Sequence, residues 1–223
     1  MRRKCRMTRF TKQMKEWFSE FGRAYTDRND FGLDGIEQLY VSQFGIGRRE
    51  LNRMFLGDLA RDRSILEVGC NVGNQLAFLA EMGFSRLAGV EVQNYALTRA
   101  RERLPDALLV QGSALALPFP DDSFDLVFTS GVLIHIHPDH LPGVLAEIHR
   151  VSRNFIWGME YFCATHTEIF YRGKRGLLWK APFAALYQQN FSDLALIREQ
   201  HFPYQGKIDN VDSMYLLSKS IDH

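Results

Sequence analysis

Three histidines and an aspartate fall within six residues in HIHPDH, 135–140. Imidazole and carboxylate donors at H-x-H-x-D-H spacing are the ligand types that zinc or iron takes, and two such metals can activate water for hydrolysis. A second stretch offers different chemistry. ILEVGCNVGN, 65–74, ends an apolar run in two glycines, Gly69 and Gly73. Glycines there let the backbone turn tightly and approach a ligand. The spacing is neither the G-x-G-x-x-G of a dinucleotide site, because Asn74 stands in place of a third glycine, nor a phosphate loop with G-K-[ST]. Glu91 closes GVEV, 22 residues beyond Gly69. An acid at that distance can accept both hydroxyls of a ribose.

The elements around these residues decide which chemistry the chain can position. SILEVGC, RLAGVEV, ALLVQGS, FDLVFTSG and NFIWGMEYF read as buried strands, and NQLAFLAEMG, NYALTRARERL and DHLPGVLAEIHRVS as helices between them. Regular alternation implies right-handed crossovers and a parallel sheet covered on both faces. LALIREQHFPYQ and SMYLLSKS lack a helix between them and should pair as an antiparallel hairpin. Residues 1–60 read as helix: Phe10, Met14, Trp17, Phe18, Phe21 and Tyr25 recur at helical steps, TDRNDFGLDG interrupts, and IEQLYVSQFGIGRRELNRMFLGDLA resumes with a break near Gly45 and Gly47. The expected division is a cap over 1–60 within one domain, and a core over 61–223 with an insertion around 164–183.

Composition narrows the class. The 223 residues are 46% hydrophobic and 24% charged, with a formal net charge of +1. That describes a globular chain without a global field for nucleic acid or membrane. The first fifteen residues hold seven Lys and Arg and no acid. No apolar run follows them, so they read as a basic terminus rather than a secretory signal. No run is long enough for a membrane span. Cys5, Cys70 and Cys163 are scattered, which argues against a disulfide framework and for a reducing cytoplasm.

Taken in order, ILEVGCNVGN, LAGVEV and QGSALALPFPDDSFDLVFTSGVL resemble the class I S-adenosylmethionine-dependent methyltransferases, whose sheet is Rossmann-like and ends in an antiparallel hairpin. The resemblance implies S-adenosylmethionine as cofactor and S-adenosylhomocysteine as product. It puts Gly69, Cys70, Asn71 and Gly73 on the methionine side, with Glu67 and Asn74 also at the cofactor. It puts Glu91 and Val92 at the ribose, Gly112, Ser113 and Ala114 at the adenine, and Ser130 and Gly131 at the end of strand four. Many members carry Asp at the position of Ser113, so the adenine contact departs from the pattern. FGRAYTDRND, SGVLIHIHPDHLP, EYF and FYRGKRGLLWKAPFA further resemble methylases associated with pseudaminic acid biosynthesis. That pattern implies that Tyr25 and Arg28 reach the methionine carboxylate, Arg28 as a charge-assisted donor.

Under this reading HIHPDH is the loop leaving strand four, with Asp139 at the N-cap or first turn of the next helix. A metallohydrolase would need more ligands from later strands, and beyond His140 the only histidines are His149, His166, His201 and His223. No metal is therefore assigned. His135 and His137 are candidate general bases, because histidine titrates near neutrality. Glu160 and Tyr161, at the end of strand five, are expected at the same cleft mouth. Tyr171, Arg172 and Lys180 in the basic insertion are expected to bind an anionic acceptor, with Arg172 able to do so bidentately. The function implied is methylation of oxygen or nitrogen on a small anionic molecule by a monomer or homodimer, nucleic acid being disfavoured as a substrate. A cofactor-binding regulatory protein without turnover is a competing reading, and the metallohydrolase another.

Overall fold

The computed structural model describes residues 11–220. Residues 1–10, which carry Cys5 and most of the basic start, lie outside them. The first aromatic-periodic stretch forms two helices rather than one: α1 (Lys12–Trp17) and α2 (Glu20–Arg28). Ser19 is the reason. Its backbone is extended and its hydroxyl accepts the Phe21 N–H at 3.2 Å, a helix start. α3 (Gly32–Phe44) and α4 (Arg48–Leu56) follow. Gly45 ends α3 in the left-handed region (φ +73°), and Gly47 opens α4 in an extended conformation.

The core alternates as expected: β1 (Ser64–Val68), α5 (Asn74–Glu81), β2 (Arg86–Glu91), α6 (Asn94–Arg103), β3 (Leu108–Gln111), β4 (Phe124–Ser130), α7 (Leu141–Val151) and β5 (Ser152–Tyr161). Two short strands, β6 (Thr167–Glu168) and β7 (Trp179–Lys180), close a small ladder within the insertion. A helix not expected from the sequence, α8 (Phe183–Asn190), comes next; Phe183, Ala184 and Tyr187 form its buried face. β8 (Leu194–Tyr204) and β9 (Lys207–Lys219) form the final hairpin.

The main sheet runs β3-β2-β1-β4-β5-β9-β8. β1 to β5 are parallel, and β9 is antiparallel to both β5 and β8. Both faces are covered, as a parallel sheet requires. Leu66, Val68, Val127 and Ile156 pack toward α7 and α8. Ile65, Leu126, Phe128 and Trp157 pack toward α4, α5 and α6. The chain leaves β1 in opposite directions toward β2 and, later, β4, so a crevice opens above their carboxyl ends. Among the described residues no helix is long and apolar enough to cross a membrane.

One local expectation fails. Asp139 does not cap α7. The helix begins at Leu141, with His140 at the N-cap position and Pro142 in its first turn. A short 3-10 turn, Leu133–His135, takes up the preceding chain.

Candidate active site

A cavity of about 870 Å³ occupies that crevice, roofed by α1, α2 and α3 and by part of the insertion. One half of it is built from strand ends. Gly69 (φ +78°) and Asn71 (φ +46°) turn the chain out of β1. The Gly69 and Cys70 N–H groups both donate to Val90 O, at 2.7 and 3.1 Å. A Cβ on Gly69 would stand 2.6 Å from Val132 Cγ2 and would strain the backbone. Gly69→Ala should therefore lower stability by about 1–3 kcal/mol, read from a urea melt. An unchanged midpoint would show that the loop yields.

Glu91 is buried at the end of β2. Its carboxylate accepts the Asn71 N–H at 3.0 Å and the Gln93 N–H at 2.9 Å. Burial raises its pKa, and these two donors oppose the shift. Each oxygen keeps a further lone pair for a donor such as a ribose hydroxyl. Gly112, Ser113 and Ala114 line the cavity beyond β3, where Ser113 Oγ accepts the Leu115 N–H at 3.2 Å and meets Met14 of α1.

Arg28 lines the cavity from the last turn of α2. Its Nε and Nη2 are buried and have no hydrogen-bond partner among the described residues. The turn that carries it is clamped to the glycine loop. Arg103 bonds Asp30 at 2.6 Å, Asn74 Oδ1 at 2.5 Å and Val72 O at 2.8 Å, and Asn74 donates to Asn29 O at 3.1 Å. A buried guanidinium without an acceptor is costly, so a ligand carboxylate fits there. Asn71 Oδ1, Gln75 Oε1 and Glu67 Oε2 are also buried and unpartnered among the described residues, and all three residues line the same cavity. Burial pushes Glu67 well above the usual carboxylate range, with the Arg48 charge opposing it.

The expected residues that line this cavity are Tyr25, Arg28, Glu67, Gly69, Cys70, Asn71, Asn74, Glu91, Val92, Gly112, Ser113, Ala114, Ser130 and Gly131, with His135, His137, Tyr161, Tyr171 and Arg172 opposite. Three expected residues do not. Gly73 (φ +78°) turns the chain into α5, and a Cβ there would meet Leu104, not the cavity. Glu160 lies beneath the loop that leaves β4: its carboxylate accepts the Val132 and Ile134 N–H groups at 3.1 and 3.4 Å. Strand residues alternate faces, so Met159 and Tyr161 share the cavity side and Glu160 takes the other. Lys180 donates to Asn210 Oδ1 at 2.9 Å in a side recess of about 50 Å³, which Tyr161, Tyr204 and Asp212 also line.

His135 is buried among the rings of Trp17, Tyr25 and Tyr171, with Nδ1 2.7 Å from Leu177 O. Burial drives its pKa down to about 4, against that hydrogen bond, so it is neutral at pH 7. His137 is half-buried beside Trp179, and its Nδ1 accepts the Asp139 N–H at 3.2 Å. Asp139 is exposed. Among the described residues no three His, Cys, Asp or Glu side chains converge as metal ligands. Arg172 (φ +48°) sits in a two-residue turn closed by mutual Tyr171–Lys174 hydrogen bonds of 3.0 Å. Lys174 pairs with Glu16 of α1 at 2.6 Å, and Arg175 lies 3.9 Å from Glu168.

Sequence reasoning missed Trp17, Tyr40, Phe44, Tyr204 and Asp212, all of which line the cavity, and Arg48 below it. Arg48 is fully buried. It donates to Asn52 Oδ1 and Tyr40 OH, each at 2.9 Å, and stacks on the Tyr40 and Trp157 rings. Its type and burial are opposed, and no spacing in the sequence announces it.

Residues 66–154 match a family described as a methyltransferase domain. An uncharacterized methyltransferase of Synechocystis is 34% identical over 109 residues, 48% of this chain and 51% of that protein. The sterol 24-C-methyltransferase ERG6B of Gibberella zeae is 36% identical over 40% of this chain and 24% of its own length. The chain thus spans about half of the first relative and a quarter of the second. Solved structures share the fold. A Pyrococcus horikoshii protein superposes with a TM-score of 0.67 at 17% identity, over 91% of this chain and 100% of that one. The 1,6-didemethyltoxoflavin-N1-methyltransferase of Burkholderia thailandensis, solved with 1,6-didemethyltoxoflavin and S-adenosylhomocysteine, gives 0.63 at 19% identity over 91% of each chain. The match to a methyltransferase domain thus covers residues 66–154, and the fold of the chain is shared with these solved structures.

Proposed function

We propose that the protein transfers a methyl group from S-adenosylmethionine to nitrogen or oxygen of a small anionic molecule, a sugar or natural-product intermediate. One observation carries this reading. A single cavity joins the Gly69–Asn74 turn, Glu91 and Gly112–Ala114 to Tyr161, Tyr171 and Arg172. The cofactor, when bound, supplies a methyl group on a positively charged sulfur. In this reading Arg28 holds its carboxylate, Glu91 its ribose, and Gly112, Ser113 and Ala114 its adenine. Trp17, Tyr25 and neutral His135 form an aromatic wall that excludes water. Much of the rate would come from alignment in that closed space. Residues 1–60 act as a cap on the 61–223 core, and Tyr171 and Arg172 of the insertion meet the acceptor. The finer resemblance, to methylases associated with pseudaminic acid biosynthesis, supports a small molecule or sugar as acceptor.

Calorimetric titration with S-adenosylmethionine and S-adenosylhomocysteine tests the cofactor site. Wild type should bind both, and Glu91→Ala should weaken both about tenfold or more. Absence of binding, with zinc or iron in the purified protein, would sink the reading in favour of HIHPDH.

A further inference from the structure

The cavity has a second polar centre, below α3 and distant in sequence from the glycine loop. Tyr40 and Phe44 of α3, Tyr161 of β5 and Tyr204 of β8 all line it, together with Asp212 of β9. Their rings touch in succession. Tyr40–Phe44 centroids are 5.4 Å apart, Phe44–Tyr204 4.8 Å and Tyr161–Tyr204 6.4 Å. The last two pairs meet at 83° and 88°, so neighbouring rings stand like adjoining walls of a box. Asp212 faces Tyr161 across the β5–β9 register and is 7% exposed. Its Oδ1 is buried with no hydrogen-bond partner among the described residues.

Aromatic walls around one buried carboxylate make an environment for a cation. Ring faces attract an ammonium, and the carboxylate supplies the countercharge. We infer that Tyr40, Phe44, Tyr161, Tyr204 and Asp212 form an ammonium-binding subsite, and that the acceptor presents an amine there. Fixed cations do not fill the role. Arg48 donates to Tyr40, Ser130 and Met159 and does not itself line the cavity. Lys180 faces the side recess and bonds Asn210. Burial holds the Asp212 carboxyl up to about 7, even though a Tyr204 hydrogen bond and the Arg48 and Lys180 charges favour ionisation. A cationic ligand would supply the charge still missing. In methylation the Asp212 carboxylate would take one N–H proton from the ammonium, freeing the nitrogen lone pair to bond the methyl carbon; the bond from that carbon to the cofactor sulfur would break with its electron pair leaving on sulfur as S-adenosylhomocysteine. With Arg172 toward an anionic group, the substrate class becomes an amino acid-like or amino sugar zwitterion, methylated on nitrogen. The choice of nitrogen rests on the methyl-transfer reading; the ammonium site does not.

Choline and its uncharged carbon isostere, 3,3-dimethylbutan-1-ol, are suitable probes, titrated into wild-type protein saturated with S-adenosylhomocysteine. Choline should bind about tenfold tighter or more, and Asp212→Asn and Tyr204→Leu should each remove most of that preference. Equal binding of the two probes would make the site merely apolar and overturn the inference. Binding of S-adenosylhomocysteine without binding of choline would overturn it while leaving the cofactor reading intact. Choline binding without S-adenosylhomocysteine binding would keep the subsite and remove the cofactor reading. If S-adenosylmethionine outcompetes choline, and its advantage over S-adenosylhomocysteine disappears in Asp212→Asn, the box serves the sulfonium and the inference fails.

Discussion

Arg28→Met will weaken S-adenosylhomocysteine by about ten- to a hundredfold and leave 5′-methylthioadenosine, which lacks the amino-acid portion, within about twofold. The guanidinium reaches the cavity with Nε and Nη2 unpartnered among the described residues. A carboxylate placed there would accept charge-assisted hydrogen bonds in a site already desolvated. Methionine keeps much of the apolar stem and removes only the charge. The fold should tolerate the change, because a buried cation without an acceptor contributes little to stability. Clamping of the α2 end through Asp30, Asn29 and Arg103 does not involve the Arg28 side chain. Titration of both nucleosides into both proteins settles the point. An equal loss for the two ligands would mean that Arg28 shapes the cap and does not read the carboxylate.

Glu160→Gln will make the protein more stable relative to wild type as pH rises. Burial lifts the Glu160 carboxyl from an ordinary 4.5 to about 7, against hydrogen bonds from Thr129 and the Val132, Leu133 and Ile134 backbone. The folded state therefore holds a proton that the unfolded state has already released. That contribution is fully present below about pH 4.5 and is lost as pH climbs through about 7. Glutamine stays neutral throughout and can still accept one of the backbone donors. The gap between variant and wild type should open by an amount on the order of 3 kcal/mol, reduced by whatever the amide loses against Val132 and Ile134. Urea melts at about pH 5 and about pH 8.5 measure it. Asp212, also held up to about 7, contributes the same slope to both proteins and cancels in the comparison. A gap that does not change with pH would show that Glu160 ionises freely in the folded protein.

Local order in the chain determined the core and the half of the cavity proposed to hold the cofactor. Gly69, Glu91 and Gly112–Ser113 each stand at the end of a strand that the hydrophobic pattern marks, and a parallel sheet gathers such strand ends along one edge. Those readings need only one βα unit at a time. Within such units the pattern resolves strands better than side-chain direction. The pair EY at 160–161 sits at the right strand end, but alternation sends Tyr161 to the cavity and Glu160 beneath it. Ser19 splits one aromatic-periodic helix into two because its hydroxyl competes for a backbone N–H.

Only the tertiary structure decided the half of the cavity proposed for the acceptor. Tyr40, Tyr161, Tyr204 and Asp212 come from four elements, and their meeting depends on β9 returning antiparallel to β5, which sets Asp212 opposite Tyr161. No periodicity encodes which strand will be neighbour to which. Arg48 is marked by no motif or spacing, and only the packing of α4 sets it against Tyr40 and Trp157. The basic insertion reads as one anion site, yet Lys174 is turned to Glu16 and Lys180 to Asn210, leaving Arg172 at the cavity. Hydrophobic spacing is written residue by residue and survives in the sequence. Long-range pairing of charges and rings is created only when distant segments are brought into contact.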